Sequence, residues 1–340
     1  MTKAPLDLTR EQILTYRRSV NALDERLPPG PASLRRAAWA GLQDSMPRAA
    51  VLSIHARVHG TGPDAWNDPS LVQLWGPRYS AYVVAARDLA VFSLGRLPDD
   101  GERRRAAEDI ARRLDAFLDG RTMTYGEAGR GLGMHPNGLR YAAPTGRVLI
   151  RWEGARQPTV WTVRPPDVHP SEARLELARR YLHVFGPTTP AAFAEWAGLR
   201  PAGGRAAFEA LAPSLRPVRT LVGEAWILST DEPTFRAAAG PAAPARLLPS
   251  GDAYFLLQAA DREILVPDSH QRGRLWTPRV WPGAVLVKGE IVGTWRRAQA
   301  DMTIASWRRL SRSEREAVEA EAAALPLPGL SQRILVRWDD

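Results

Sequence analysis

ERRRAAEDIARRLDAFL (102–118), TYGEAGRGL (124–132), HPNGLRYA (135–142) and RVLIRWEGARQPTVWTVR (147–164) follow one another, and their order decides how the rest of the chain is read. The first carries apolar residues at helical spacing and ends near Gly120. Thr124 and Glu127, three apart, form a capping box that starts a second helix. Pro136 opens a third. The last segment reads as a β-hairpin. The same order returns downstream. PSEARLELARRYLHVF (170–185) is a helix ended by Gly186, and Thr189-Pro190 opens AAFAEWAGL (191–199), stopped at Gly198. GGRAAFEAL (203–211) is a third helix, and LRPVRTLVGEAWILS (215–229) is a hairpin. Three helices and a two-stranded wing make the winged-helix plan, a helix-turn-helix variant.

Outward from this pair, the N-terminal region is a looser third copy. Thr9 and Gln12 cap a helix over EQILTYRRSVNAL (11–23), Pro31 opens PASLRRAAWAGL (31–42), and Pro47 opens a third helix with Val51, Ile54 and Val58 on one face. Trp75 to Ala85 reads as extended, and Asp88 starts a short helix through Leu94. Residues 231–248 are Pro/Ala-rich and read as a linker. Beyond them AYFLL, REILVP, GAVLVKGEIVGTWRR, MTIASWRR and RILVRW read as strands, interrupted by one helix from Ser313 onward. The predicted fold is α+β, with winged-helix modules at 1–100, 101–166 and 167–232 and a C-terminal β-barrel at 245–340.

The 340 residues allow two to four modules. No cysteine is present, which excludes disulfides, thiolate catalysis and Cys-ligated metal. No apolar run spans a bilayer and the N-terminus lacks an apolar leader, so a cytoplasmic protein without a membrane partner is expected. The net charge of +9 suits a polyanion. Almost all of the positive charge is arginine, because Lys3 and Lys288 are the only lysines. Lys3 falls in a terminus and Lys288 in a hairpin, so neither is placed to form a Schiff base.

GLQDSMPRAAVLSIHARV (41–58), LWGPRYSAYVVAARD (74–88), YLHVFGPTTPAAFAEWAGL (181–199) and VLVKGEIVGTWRR (285–297) stand in that order. Together they resemble the bacterial winged-helix glycosylases typified by AlkZ and YcaQ, over almost the whole chain. The resemblance implies three winged-helix modules around a central channel, a C-terminal barrel, and excision of N7-alkylated purines from double-stranded DNA. For some members it implies self-resistance to a genotoxin. The family's signature is Gln, any residue, then Gln or Asp, after a Gly-Leu pair. Here Gln43 matches, Asp44 takes the middle position and Ser45 replaces the last. Arg78 also matches, whereas Tyr82 stands where many relatives carry His. The Asp44 and Ser45 departures suggest a bulky intercalating guanine adduct as the lesion.

A cationic N7-alkylguanine is already a good leaving group. The enzyme must stabilise a sugar oxocarbenium ion and place a water beneath it. Gln43 and Ser45 can hold that water, and Asp44 can supply charge or act as base. Asp44 and Ser45 also suit a plain helix cap. His55, on the apolar stripe of the following helix, is a secondary site candidate. It stands four residues from His59, but no third ligand is evident, and neither metal nor cofactor is expected.

Arg48 and Arg78 are candidate DNA contacts. Arg140, Arg151, Arg156 and Arg205, in the third helices or wings, should converge on one concave face if they grip phosphates. His270, Gln271, Arg272 and Arg274 surround Gly273 in a basic loop suited to a groove or to phosphates. Most tryptophans are assigned to the core, with neighbouring arginines outside. A monomer is expected. The rival class is a non-enzymatic winged-helix regulator, but no dimerisation helix is evident. No acidic cluster of the kind a metal-dependent nuclease needs is present.

Overall fold

The computed structural model describes residues 5–44, 48–154, 156–238, 240–327, 329 and 332–339. Strand β1 (Leu6–Asp7) leads into helix α1 (Arg10–Val20), where Thr9 and Gln12 exchange the two bonds of a capping box. Helix α2 (Pro31–Ala37) starts at its proline, as the sequence predicts. Strand β2 (Leu42–Gln43) and helix α3 (Ala49–Arg57) follow, then β3 (Leu71–Trp75), β4 (Ala81–Ala85) and the short α4 (Leu89–Phe92). These strands form an antiparallel sheet in the order β2-β4-β3. All nine residues of α3 are buried, because β2 and the C-terminal sheet both pack on it.

The two segments that open the sequence reading keep their order. The first comprises α5 (Gly101–Leu118), β5 (Met123–Thr124), α6 (Tyr125–Gly131), β6 (Val148–Arg151) and β7 (Thr159–Thr162), with sheet order β5-β7-β6. Thr124 and Glu127 form the expected capping box. The expected third helix, however, is a tight three-residue-per-turn run over Pro136–Thr145. Pro144 lies inside it and cannot donate the backbone bond that an α-helix needs. The second segment comprises α7 (Pro170–Phe185), α8 (Pro190–Ala197), α9 (Pro201–Leu211), β8 (Leu215–Thr220) and β9 (Gly223–Leu228). Strand β1 adds to β8 in parallel, which ties the N-terminus to this hairpin.

The expected linker contains α10 (Glu232–Arg236) and strand β10 (Ala245–Leu248). The expected strand REILVP is instead α11 (Asp261–Leu265), and the expected basic loop SHQRGRLW is α12 (Ser269–Leu275), capped by Asp268. AYFLL is a buried turn, because the Asp252 side chain takes the Tyr254 N–H at 2.9 Å and curls the chain. A short apolar run has no periodicity to separate these outcomes. Strands β11 (Gly283–Val287), β12 (Glu290–Ala298) and β13 (Asp301–Ser306), helix α13 (Arg312–Ala323) and strand β14 (Leu335–Asp339) complete the chain.

The mixed α+β class is as expected, but among the described residues no closed barrel is found. The C-terminal sheet runs β10-β11-β12-β13-β14, open between β10 and β14. Helices α3 and α13 pack against β10, with Leu52, Val318 and Ala322 in one cluster with residues of β10 to β13. Of the tryptophans beside arginines, Trp295 is buried, whereas Trp152 and Trp307 are half-buried against the core, so the core assignment holds fully for Trp295 alone.

Candidate active site

The Gly-Leu-Gln turn leaves β2 beside β4, with Gln43 opposite Tyr82 in the register. Gln43 is half-buried, and its Oε1 accepts an N–H from Arg78 Nη2 at 3.0 Å. The backbone of Gly251 covers its other flank. A Cβ there would stand 3.0 Å from the Gln43 amide carbon, and Gly251 has φ +77°, so glycine is required on both counts. The loop carrying Gly251 is pinned by its neighbour. Asp252 makes a bidentate pair with buried Arg57, at 2.7 Å for both bonds, and accepts the Ser53 hydroxyl at 2.6 Å.

Arg78 sits at φ +54° and Tyr79 at φ +57°. Side chains rarely adopt this left-handed backbone, and such strain marks functional sites. The second Arg78 nitrogen, Nη1, donates at 3.0 Å to the Gln258 amide oxygen, and the Gln258 amide nitrogen donates at 2.8 Å to Glu195 Oε1; this is the amide orientation that satisfies both neighbours. Gln258 is buried and Glu195 is exposed on α8. Arg262 lies within electrostatic reach of Glu195 and Arg78 and stacks over Trp276 and Trp281. Gln43, Arg78, Gln258 and Glu195 therefore form one bonded chain from a strand end to a helix surface. Sequence reasoning missed Gln258 and Glu195, since 215 positions separate Gln43 from Gln258 and neither residue has a local motif.

Asp44 is fully buried, with no surface to offer a substrate. Oδ1 accepts the Ala50 N–H at 3.0 Å, capping α3, while Oδ2 accepts the Gln73 amide at 2.7 Å and lies 3.2 Å from Arg48 Nη2. Burial raises its pKa to about 6, and Arg48, the Ala50 N–H and Gln73 hold it from rising further. Its burial corrects the expectation that Asp44 meets the sugar directly. Ser45 lies outside the described residues.

His55 is turned to α13. It is 8% exposed, its Nε2 is 3.3 Å from Arg26 Nη2 and 3.9 Å from Glu321, and burial lowers its pKa to about 4. It joins an interhelical ion cluster, which removes it from the catalytic candidates. His59 is exposed at the end of the same segment. Among the described residues no group of three or more His, Asp or Glu is arranged to hold a metal.

Arg48 is likewise inside, 8% exposed, bonded to the Trp152 carbonyl and stacked 4.0 Å over Trp66, so it clamps the β6–β7 hairpin rather than facing solvent. Arg151 stands over the other side of that cluster, 5.0 Å from the Trp66 ring, bonded to Asn67 and Glu153 and partly exposed. Arg156 is exposed on the same hairpin. Arg140 bonds the Asn137 carbonyl at 3.0 Å, and Arg205 is exposed on α9. On α12, His270 and Arg274 are exposed. Gln271 donates its backbone N–H to the cap, and half-buried Arg272 bonds the Val266 and Pro267 carbonyls at 2.9 and 2.5 Å. The structure thus gathers Arg48, Arg151 and Arg156 around one hairpin and Arg78 at Gln43. The contacts of Arg140, Arg205 and the α12 residues do not join them to either group.

Residues 36–326 match the family model described as DNA glycosylase AlkZ-like. The chain is therefore a DNA glycosylase, a hydrolase of N-glycosyl bonds whose substrate is DNA. It belongs to the AlkZ-like family. The structure of DNA glycosylase AlkZ from Streptomyces sahachiroi has a similar fold, with a TM-score of 0.78 at 19% identity, covering 98% of this chain and all of that one. Comparison with curated proteins gave no match. No helix among the described residues is long and apolar enough to cross a membrane.

Proposed function

We propose that this protein releases N7-alkylated guanine from double-stranded DNA as a monofunctional glycosylase, with Gln43 holding the attacking water. The observation that carries the reading is the Gln43 amide itself, half-exposed at a strand end, oriented by Arg78 and backed by Gly251. A fixed amide can donate to and accept from one water, and that placement replaces the entropy cost of capturing it. The leaving guanine is cationic, so it departs without a general acid. What develops is positive charge on the sugar. Two carboxylates suit that charge without touching it: Asp44 from behind Gln43, and Glu195 at the end of the bonded chain. Arg78 would repel a sugar cation, so its tasks are to orient Gln43 and to meet a phosphate.

Lys288 lies in the turn between β11 and β12 with its amine 3.3 Å from Glu314, which supports base release without strand scission through an imine at that lysine; Lys3 lies outside the described residues. The two segments of helices plus hairpin support winged-helix modules at 101–166 and 167–232, with a looser one at 1–100 and the open-sheet unit at 245–340. The protein acts as a monomer, and bulky guanine adducts of the self-resistance type are its proposed lesions. The test is a duplex with one N7-methylguanine and one with a bulky N7-guanine adduct. Free modified base, an alkali-labile abasic site and no borohydride-trapped adduct are expected. Tight binding of intact lesion DNA without base release would instead favour a recognition protein.

A further inference from the structure

Gln73 sits in the middle of β3, opposite Val83, in the apolar run LVQLW. It is 5% exposed, and a buried amide at such a position is costly unless both of its ends are bonded. Both are. Its Nε2 donates to Asp44 Oδ2 at 2.7 Å, and its Oε1 accepts the Trp152 N–H at 2.7 Å. Trp152 is the first residue after β6. Its carbonyl accepts from Arg48 Nη2, and the same Nη2 lies 3.2 Å from Asp44 Oδ2. Asp44, Gln73, Trp152 and Arg48 therefore close a ring. On its other side Trp152 reaches the hairpin tip, where its indole Nε1 donates to the Arg156 carbonyl at 3.0 Å and Arg156 is exposed.

We infer that Gln73 is a positioning residue that ties the β6–β7 hairpin to the Asp44 carboxylate, so that a phosphate gripped at Arg156 steadies the group behind Gln43. The inference rests on the roles proposed for Gln43 and Asp44. The main chain of Asp44 is fixed by its N–H to the Ala81 carbonyl at 2.8 Å, and Oδ1 by the Ala50 N–H at 3.0 Å. What the hairpin controls is Oδ2, through Gln73 and Arg48. The Trp152 N–H can bond only the oxygen of the Gln73 amide, which leaves the nitrogen facing the carboxylate. A hairpin held in place thus fixes the amide, and the fixed amide favours the ionised, oriented Asp44. Arg48 is the charged group against Asp44, and Glu153 and Arg151 of the hairpin act on Arg48 in turn.

Gln73→Met removes both bonds at similar size. Gln73→Glu keeps the acceptor for Trp152 but sets a second carboxylate against Asp44. Single-turnover release of N7-methylguanine is followed across the pH range in which Asp44 ionises. The wild-type inflection near pH 6 should move up by about one unit in Gln73→Met and further in Gln73→Glu. The plateau rate should fall by about tenfold, the scale of one hydrogen bond to a charged group, with DNA affinity nearly constant. Arg156→Ala should slow release by the wild type at saturating enzyme and add nothing in Gln73→Met. A merely structural Gln73 would lower stability and leave the inflection where it is. An unmoved inflection in the folded variants, or additive effects of Arg156→Ala and Gln73→Met, overturns the inference. A wild type without base release, or with an inflection that survives Asp44→Asn, places the fault in the proposed activity instead. Hydrogen exchange then judges the link alone. Duplex binding should slow exchange at the Ala50 N–H in the wild type and not in Gln73→Met, and the same response in both proteins overturns the inference.

Discussion

Changing Asp252 to Asn strips the counter-charge from a guanidinium that has almost no solvent. Arg57 is 2% exposed and Asp252 1%. Both carboxylate oxygens are used twice: Oδ1 by Arg57 Nη2 and the Tyr254 N–H, Oδ2 by Arg57 Nη1 and the Ser53 hydroxyl. An amide keeps one acceptor and turns a donor toward Arg57. Breaking a buried pair from one side costs about 3–5 kcal/mol, because the remaining charge is stranded. That is a large share of the roughly 5–15 kcal/mol by which a domain is stable. The loss also frees the loop that brings Gly251 onto Gln43, so base release slows even in the molecules that remain folded. Urea unfolding followed by circular dichroism measures the first effect, and single-turnover base release at a temperature where the variant is folded measures the second. Arg57→Leu combined with Asp252→Leu removes both charges and should recover much of the stability while catalysis stays slow. If Asp252→Asn unfolds within about 1 kcal/mol of the wild type, the pair is not the anchor that these distances imply.

Other consequences concern the carboxylates. The folded state holds the Asp44 proton more tightly than the unfolded chain does, with a pKa of about 6 against 3.8. This group therefore favours folding below about pH 4, and that contribution is lost as pH rises through 6. Catalysis should run the opposite way. The rate should climb as Asp44 ionises near pH 6, and the pH–rate profile of Asp44→Asn should lack that inflection. Glu195→Ala should lower the base-release rate by about tenfold with little change in DNA affinity, as expected when a positioning contact is lost, and Glu195→Asp should recover part of it. Equal losses of rate and affinity would make Glu195 a DNA contact rather than a support for Arg78.

Local signals in the sequence were sufficient wherever the chain decides its own conformation. The capping boxes at Thr9–Gln12 and Thr124–Glu127, the proline-opened α2 and α8, the end of α7 at Gly186, and the hairpins of the two central segments all stand as read. The misreadings begin where tertiary contact decides. AYFLL and REILVP have the composition of buried strands, but a side-chain bond from Asp252 bends one and the other closes into a helical turn. The chain has the strands for a barrel, yet its C-terminal sheet stays open between β10 and β14, and α3 and α13 pack against it in one apolar cluster. At the site, Gln43 and Arg78 were legible by resemblance. Asp44 was legible as a residue but not as a buried one. Its burial depends on Gln73 and Arg48 packing over it, and one of them acts from a strand 29 positions away. An acidic residue ahead of an apolar run, as in SGDAYFLL, and an arginine closing VLSIHAR were the available hints of the Asp252–Arg57 pair.

Gln43→Ala, studied with a duplex bearing a single N7-methylguanine, is the most direct test of the proposed chemistry. Single-turnover base release is measured alongside the dissociation constant for the same duplex. Loss of the water-holding amide should slow release by about 100-fold or more, the scale of one preorganised polar group, while the dissociation constant stays nearly constant. Release at close to the wild-type rate by a folded Gln43→Ala protein would contradict the role given to this residue.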